Sequence, residues 1–127
     1  DIIFNIILKG ESMKKILAEP DPREQKKLGR NVKGFNKEIW EANCKQIVYD
    51  ACKAKFTQDP KLLSELLKGY GTTYVEASPS DDIWGIKLAA EDPRSDDRAT
   101  WQGKNWLGEV LTNLCNDLYT TMEQQIK

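Results

Sequence analysis

Histidine does not occur among the 127 residues of this chain, and its absence removes whole classes of chemistry. Ser-His-Asp and Cys-His catalysis, His-ligated zinc and imidazole acid–base work are all excluded. Proton-handling groups must then be Asp, Glu, Lys, Tyr or Cys, with carboxylates leading. Cysteine is scarce. Cys44, Cys52 and Cys115 make an odd count without a C-x-x-C pair, and a nucleophilic cysteine normally needs a basic partner such as histidine. Cys44 and Cys52 fall on one face of a helix, where all three thiols read as buried small hydrophobes. Long apolar runs are missing too, since none approaches the ~20 residues needed to span a bilayer. "DIIFNIIL" lacks the basic region and cleavage site of a signal peptide. These absences predict a cytoplasmic protein without a membrane partner. No charge sign dominates: 19 basic residues oppose 20 acidic ones, a net charge of -1. That balance argues against holding nucleic acid by charge alone. No ligand spacing points to a metal, and no cofactor is expected.

What is present reads mostly as helix. With no repeat or long linker, the length predicts one domain over 1–127, large enough to bury a core unaided. "DIIFNIIL" before Gly10 suggests a short apolar helix, and "ESMKKILAE" another, closed by Pro20. Asp21 and Asp59 each precede a proline, the pattern of an N-cap followed by proline at the first helical position. Gly29 stands where a C-cap glycine would. The longest helix should start at an Asn36 cap and run to about Phe56, with Trp40, Cys44, Ile47, Val48, Ala51, Cys52 and Phe56 on its apolar face. "TTYVEA" reads as a strand and "DIWGIKLA" as a second after a turn. "AEDPRSDDRATWQGK" reads as a polar loop. Asn105 then caps a last helix facing inward through Leu107, Val110, Leu111, Leu114 and Leu118. The expected class is α+β, a mostly helical single domain with a small β element; an all-α domain with a minor hairpin is the alternative.

Four places combine reactive side chains with backbone that can present them. In "YVEASPSDDIWGI", Glu76 ends the expected strand and the turn brings Asp81 toward Trp84. An indole beside a carboxylate can stack on a planar base while the acid handles a proton. The plain alternative is that Ser78, Ser80 and Asp81 make turn hydrogen bonds and Trp84 fills the core. Gly103 and Gly108 flank the start of the last helix, next to Lys104 and Asn105, an arrangement suited to an anion or to an ordinary capped helix. Trp101 and Trp106 read as core anchors. Lys26, Lys27, Arg30 and Lys33 gather at a helix C-terminus, where cations also favour the helix dipole. Lys55 lies beside Phe56, its stem on apolar surface.

Taken together these blocks resemble the NADAR domain family, the YbiA-like N-glycosidases. The resemblance rests on E-A-S-P-x-D-x-x-W-G at Glu76–Gly85 and W-x-G-x-N-x-L-G at Trp101–Gly108. It rests also on an upstream L-G-R-x-V-K-x-F with a following tryptophan (Leu28, Gly29, Arg30, Val32, Lys33, Phe35, Trp40) and on A-K-F at Ala54, Lys55 and Phe56. The blocks keep the family's order and span about Ile16 to Leu118.

The resemblance implies a YbiA-like fold and cleavage of an N-glycosidic bond. Its implied partners are a phosphorylated ribosyl-nucleobase small molecule, such as a phosphoribosylamino-pyrimidine of riboflavin synthesis, or ADP-ribose attached to guanine in nucleic acid. A non-catalytic module that binds ADP-ribose or a related nucleotide is the alternative function. By the same resemblance Asp81 takes the polar catalytic role, with Glu76 as a second acid or a structural ion-pair partner. Trp84 and Trp40 would wall the base, with Gly85 beside them. Arg30 and Lys55 would hold phosphate, and Asn105 would bond a sugar hydroxyl or organise the 92–105 loop. Departures accompany it. The family opens with an asparagine-phenylalanine stretch and a helix carrying a glutamate regarded as catalytic, which has no counterpart here. The chain opens on Asp1 rather than Met, and the expectation is that residues preceding it supply that segment. Lys87 stands where glycine is common, Gly69 and Tyr70 replace a threonine-glycine pair, and Cys115 holds a position that is often arginine.

Overall fold

A computed structural model describes residues 11–31 and 34–126, with side chains from Lys15 onward. The expected helix ending at Gly10, and Val32 and Lys33 of the basic block, lie outside the described residues. The chain forms two compact units, Asp1–Asn43 and Cys44–Lys127.

In the first unit, α1 (Glu11–Ala18) packs on α2 (Pro22–Arg30). Asp21 caps α2 by accepting from the Arg23 N–H at 2.9 Å, with Pro22 at a position whose missing N–H costs nothing. Gln25 Nε2 donates to the carbonyls of Ile16 and Glu19 at 3.2 and 2.6 Å, fastening α2 to the end of α1. The helix passes through Gly29 and ends one residue later. The Asn31 N–H closes it on the Leu28 carbonyl at 3.2 Å, without a left-handed glycine. Asn36 caps α3 (Lys37–Thr57), accepting from the Ile39 N–H at 3.1 Å.

In the second unit, α3 from Cys44 onward, α4 (Pro60–Leu67) and α5 (Trp106–Ile126) supply the regular structure. Leu66 of α4 and Leu114 and Cys115 of α5 form the buried nucleus. Tyr49, Cys52 and Phe56 of α3 and Leu111 and Leu118 of α5 pack around it, half-buried. The 3.6-residue stripe of α5 thus faces inward as its pattern predicts. Burying a side chain like Leu114 stabilises by about 1.5–3 kcal/mol. None of the three cysteines is in a disulfide, and Cys44 and Cys115 are buried as small apolar side chains.

The expected β element is not formed: among the described residues there is no strand, so the α+β class gives way to a helical architecture with a long irregular segment over 68–105. The physical reason lies in who satisfies the extended backbone. At Tyr74–Glu76 the backbone pairs with side chains at and beyond the start of α5 in place of a neighbouring strand. The Tyr74 N–H donates to Thr112 Oγ1 at 2.8 Å, and that hydroxyl donates onward to the Gly108 carbonyl at 2.7 Å. Asn105 Nδ2 donates to the Tyr74 carbonyl at 3.0 Å, and its Oδ1 accepts from the Glu76 N–H at 2.9 Å. A β-rich composition reports extended, half-buried backbone; it does not specify whether a strand or a helix side chain pairs with it. The Tyr74 hydroxyl reaches inward to the Leu66 carbonyl at 2.6 Å.

The polar loop folds into two 3-10 turns, Pro93–Asp96 and Arg98–Thr100, each opened by an aspartate that accepts the N–H two residues on. Asp92 is thus the third aspartate-proline start in the chain. Thr112 is the joint between this irregular segment and α5. Replacing it by valine leaves the Tyr74 N–H without its acceptor, and an unsatisfied donor of this kind costs about 1–3 kcal/mol. Thermal or urea unfolding should show Thr112→Val destabilised by that amount and Thr112→Ser near the parent. Equal stability of the two variants would contradict the joint.

Candidate functional site

The start of α5 is closed by backbone. The N–H groups of Lys104, Asn105, Trp106 and Leu107 donate to the carbonyls of Asp82, Gly85, Ile83 and Trp84 at 2.9, 3.0, 3.1 and 3.1 Å. The last three are donors that a helix start leaves free for an anion, and here the 82–85 loop consumes them. The anion reading of the helix start therefore has no donors to use at these positions. The loop's approach requires glycine at the contact. A Cβ at Gly103 would strike the Gly85 carbonyl and come within 2.9 Å of Asp82 Cα, and one at Gly108 would overlap the Tyr74 carbonyl and the Asn105 amide. Asn105 itself takes a positive φ of 55°, which asparagine tolerates better than most residues. Its carbonyl accepts from the Glu109 N–H at 2.9 Å, as an N-cap carbonyl does. Its side chain caps no helix N–H; it holds Tyr74 and Glu76.

Around this joint opens a cleft of about 470 Å³, lined by Thr73, Arg98, Trp101, Gly103, Lys104, Asn105, Glu109, Thr112 and Asn113. Its size falls within the roughly 300–1,000 Å³ of small-molecule sites. Trp101 is held by its indole Nε1, which donates to the Ser95 carbonyl at 2.9 Å. The Arg98 guanidinium lies 5.3 Å from the Trp101 ring centre and donates to Thr73 Oγ1 at 3.3 Å. Lys104 Nζ lies 5.1 Å from the Trp106 ring centre. Neither cation takes part in an ion pair among the described residues. The cleft's carboxylate, Glu109, is paired with Lys45 at 3.4 Å. The cleft is therefore cationic in a chain of net charge -1. No three metal-ligating groups converge among the described residues.

Of the sequence-predicted site residues, one lines this cleft, Asn105. Gly85 is buried behind Gly103, against the carbonyls of Glu76 and Asp81. Asp81 Oδ1 accepts from the N–H groups of Ile83 and Trp84 at 3.0 and 2.8 Å, so the carboxylate shapes the turn that carries Trp84. Trp84 is half-buried, its ring edge-on to Trp106 with centres 5.6 Å apart. Glu76 is half-buried and, among the described residues, in no ion pair. Lys55 is exposed on α3, its ammonium 5.5 Å from the Phe56 ring, as a stem on apolar surface would lie. Arg30 and Trp40 belong to the first unit, where Arg30 is exposed and Trp40 lies 6.4 Å from the Phe35 ring. Sequence reasoning overlooked Arg98, Glu109, Thr73, Thr112 and Asn113, and read Trp101 as core. The one signal available was Arg98 three residues before Trp101 within a loop of turn-forming aspartates.

A second cavity of about 130 Å³ adjoins, lined by Lys45, Gln46, Tyr49, Glu109, Val110 and Asn113. Burial, the hydrogen bond to Asp117 and the negative charges of Asp117 and Asp50 push the Tyr49 phenol from 10.0 up to about 12. Folding favours the neutral phenol, so its contribution to stability is complete below pH 10 and is lost as pH rises toward 12. The ultraviolet phenolate signal removed by Tyr49→Phe should titrate near 12; a midpoint at 10 would contradict the Asp117 bond.

Comparison with known proteins follows this geometry. A family model described as the NADAR domain matches residues 4–119. The chain is 40% identical over 110 residues to protein irg-1 of Caenorhabditis elegans, covering 85% of this chain and 52% of that protein. It is 43% identical over 101 residues to a protein of Acanthamoeba polyphaga mimivirus named as an N-glycosidase, covering 80% and 59%. It is 32% identical over 114 residues to a chloroplastic riboflavin biosynthesis protein of Zea mays, PYRR, covering 87% of this chain and 16% of that one. The chain thus spans about half the length of the first two relatives. No described helix is long and apolar enough to cross a membrane. The chain belongs to the NADAR domain family.

Proposed function

We propose that this chain is an N-glycosidase that hydrolyses the bond between a ring or exocyclic nitrogen and the anomeric carbon of a phosphorylated ribose. The observation that carries the reading is the cleft itself. One space brings together an indole (Trp101), two cations free of carboxylate partners among the described residues (Arg98 and Lys104), and amide and hydroxyl groups (Asn113, Thr73). A flat ring needs the first, a phosphate the second and a sugar the third. The mimivirus relative is named as an N-glycosidase, and the maize relative for riboflavin biosynthesis. The substrate class we infer is a phosphoribosylamino-pyrimidine, with ADP-ribose on guanine as the larger member.

In the reaction, water adds to the anomeric carbon as the carbon–nitrogen bond breaks. A carboxylate takes one proton from that water and passes it to the departing nitrogen. The sugar passes through an oxocarbenium-like state that a nearby carboxylate stabilises. We assign this work to Asp81 and Glu76. The loop bearing Asp81 abuts the cleft wall at Gly103, and Asn105 fixes the Glu76 backbone. On this reading Trp84, carried by the turn that Asp81 shapes, would stack on the base, with Gly85 buried behind Gly103. A second reading, a module that binds the nucleotide without cleaving it, is favoured by one observation: Asp81 Oδ1 already accepts two backbone N–H bonds.

Incubation with a phosphoribosylamino-pyrimidine, with free ribose phosphate measured, or with ADP-ribosylated guanosine, with free ADP-ribose measured, separates the two readings. Release by the parent chain and a loss of about 10²-fold or more in kcat for Asp81→Asn are expected of a proton-handling group. Full turnover by Asp81→Asn would remove Asp81 from the chemistry. Bound ligand without release would establish the binding module instead.

A further inference from the structure

The side chains around the cleft divide by what they can still bond. Trp101 commits its indole N–H to the Ser95 carbonyl, and the Asn105 amide is held by Tyr74 and Glu76. Thr112 accepts from Tyr74 and donates to Gly108, while Thr73 Oγ1 already accepts from Arg98. Arg98 and Lys104, on the turn before α5, can only donate. Two cleft side chains keep an acceptor oxygen without a hydrogen bond among the described residues: Glu109 through Oε1 and Asn113 through Oδ1. They stand four positions apart on α5, which makes them neighbours on one helix face, roughly 5–6 Å apart at Cβ. Val110 and Leu114, the next residue after each, are buried. The cleft therefore has donors on the 98–104 turn and acceptors on α5. The Lys45 ammonium reaches Glu109 Oε2 at 3.4 Å, but an ionised carboxylate offers about four lone-pair sites. That contact leaves room for other donors.

We propose that Glu109 is the residue by which the cleft selects ribose, its carboxylate accepting the cis 2- and 3-hydroxyls of the sugar with the Asn113 amide beside it. This rests on the cleft being the ligand site. Sugar hydroxyls are donors in need of acceptors, and a hydrogen bond to an ionised carboxylate is about twice as strong as one between neutral groups. The phosphate lies toward Arg98 and Lys104, because Glu109 repels it. A 2-deoxyribosyl compound brings one donor fewer to the same carboxylate. The cleft is thereby directed to ribosyl compounds and away from deoxyribosyl ones.

Isothermal calorimetry on the full chain, with ribose 5-phosphate and 2-deoxyribose 5-phosphate as probes, tests this. The probes carry the same charge, so a change in cleft potential moves both alike and their affinity ratio reports the missing hydroxyl. The parent chain should prefer ribose 5-phosphate about five- to tenfold. Glu109→Gln, which keeps the shape and removes the charge, should reduce that preference to about two- to threefold. Glu109→Ala should bring it near parity. A parental preference retained in both variants, or no preference in the parent, would overturn the role of Glu109 while leaving the cleft as the ligand site. Absence of binding by either probe would overturn the cleft and the selection together.

Discussion

The side chain of Asn105 is the constraint on which the second unit depends. One amide group takes the carbonyl of Tyr74 and the N–H of Glu76, while the same residue's backbone joins the Gly85 carbonyl to the first turn of α5. Two irregular stretches and a helix start are thereby fastened at one point. The geometry leaves little choice of residue. The φ of 55° disfavours branched side chains, and a planar amide carries the donor and the acceptor that the Tyr74 carbonyl and the Glu76 N–H require. Gly103 and Gly108 follow from this, because the loops pass where their Cβ atoms would stand.

From that joint the cleft inherits its rigidity. Thr73, Gly103, Asn105 and Thr112 are wall residues whose backbone or side chain is already committed to the joint or adjacent to it. Trp101 is fixed separately by the Ser95 carbonyl. The cations are the adaptable part: Arg98 rests on Trp101 and Thr73, and Lys104 on Trp106. Positive groups resting on rings and a hydroxyl stay available to an anion at small cost, because cation–π contacts at exposed sites are worth only about 0.5–1 kcal/mol. A rigid ring face beside adaptable cations is a sensible division for a ligand with a flat end and a charged end.

The local features of this fold were legible in the chain. Asp21, Asp59 and Asn36 cap as their positions foretold, and the α5 stripe buries Val110 and Leu114 as its period required. The motif blocks were legible as well, and they correctly pointed to the NADAR family. Two things were not. "TTYVEA" has strand composition, but its hydrogen bonds go to Thr112 and Asn105, residues some thirty to forty positions away whose pairing leaves no local trace. The cleft was hidden for the same reason, since it assembles Thr73, the 98–105 turn and one face of α5. Asp81 was legible as a turn former and as an acid, and its Oδ1 is engaged in the turn.

The account stands on ligand entering the Trp101 cleft, and the four tryptophans make that directly observable. Their indole N–H groups are separate probes in a ¹H–¹⁵N correlation spectrum, resolved by single replacement. On titration with ribose 5-phosphate, the Trp101 indole signal should move progressively and saturably, together with the backbone amides of Thr73 and Asn113. Saturable movement of the Trp40 signal with Trp101 unmoved would place the ligand elsewhere and contradict the account.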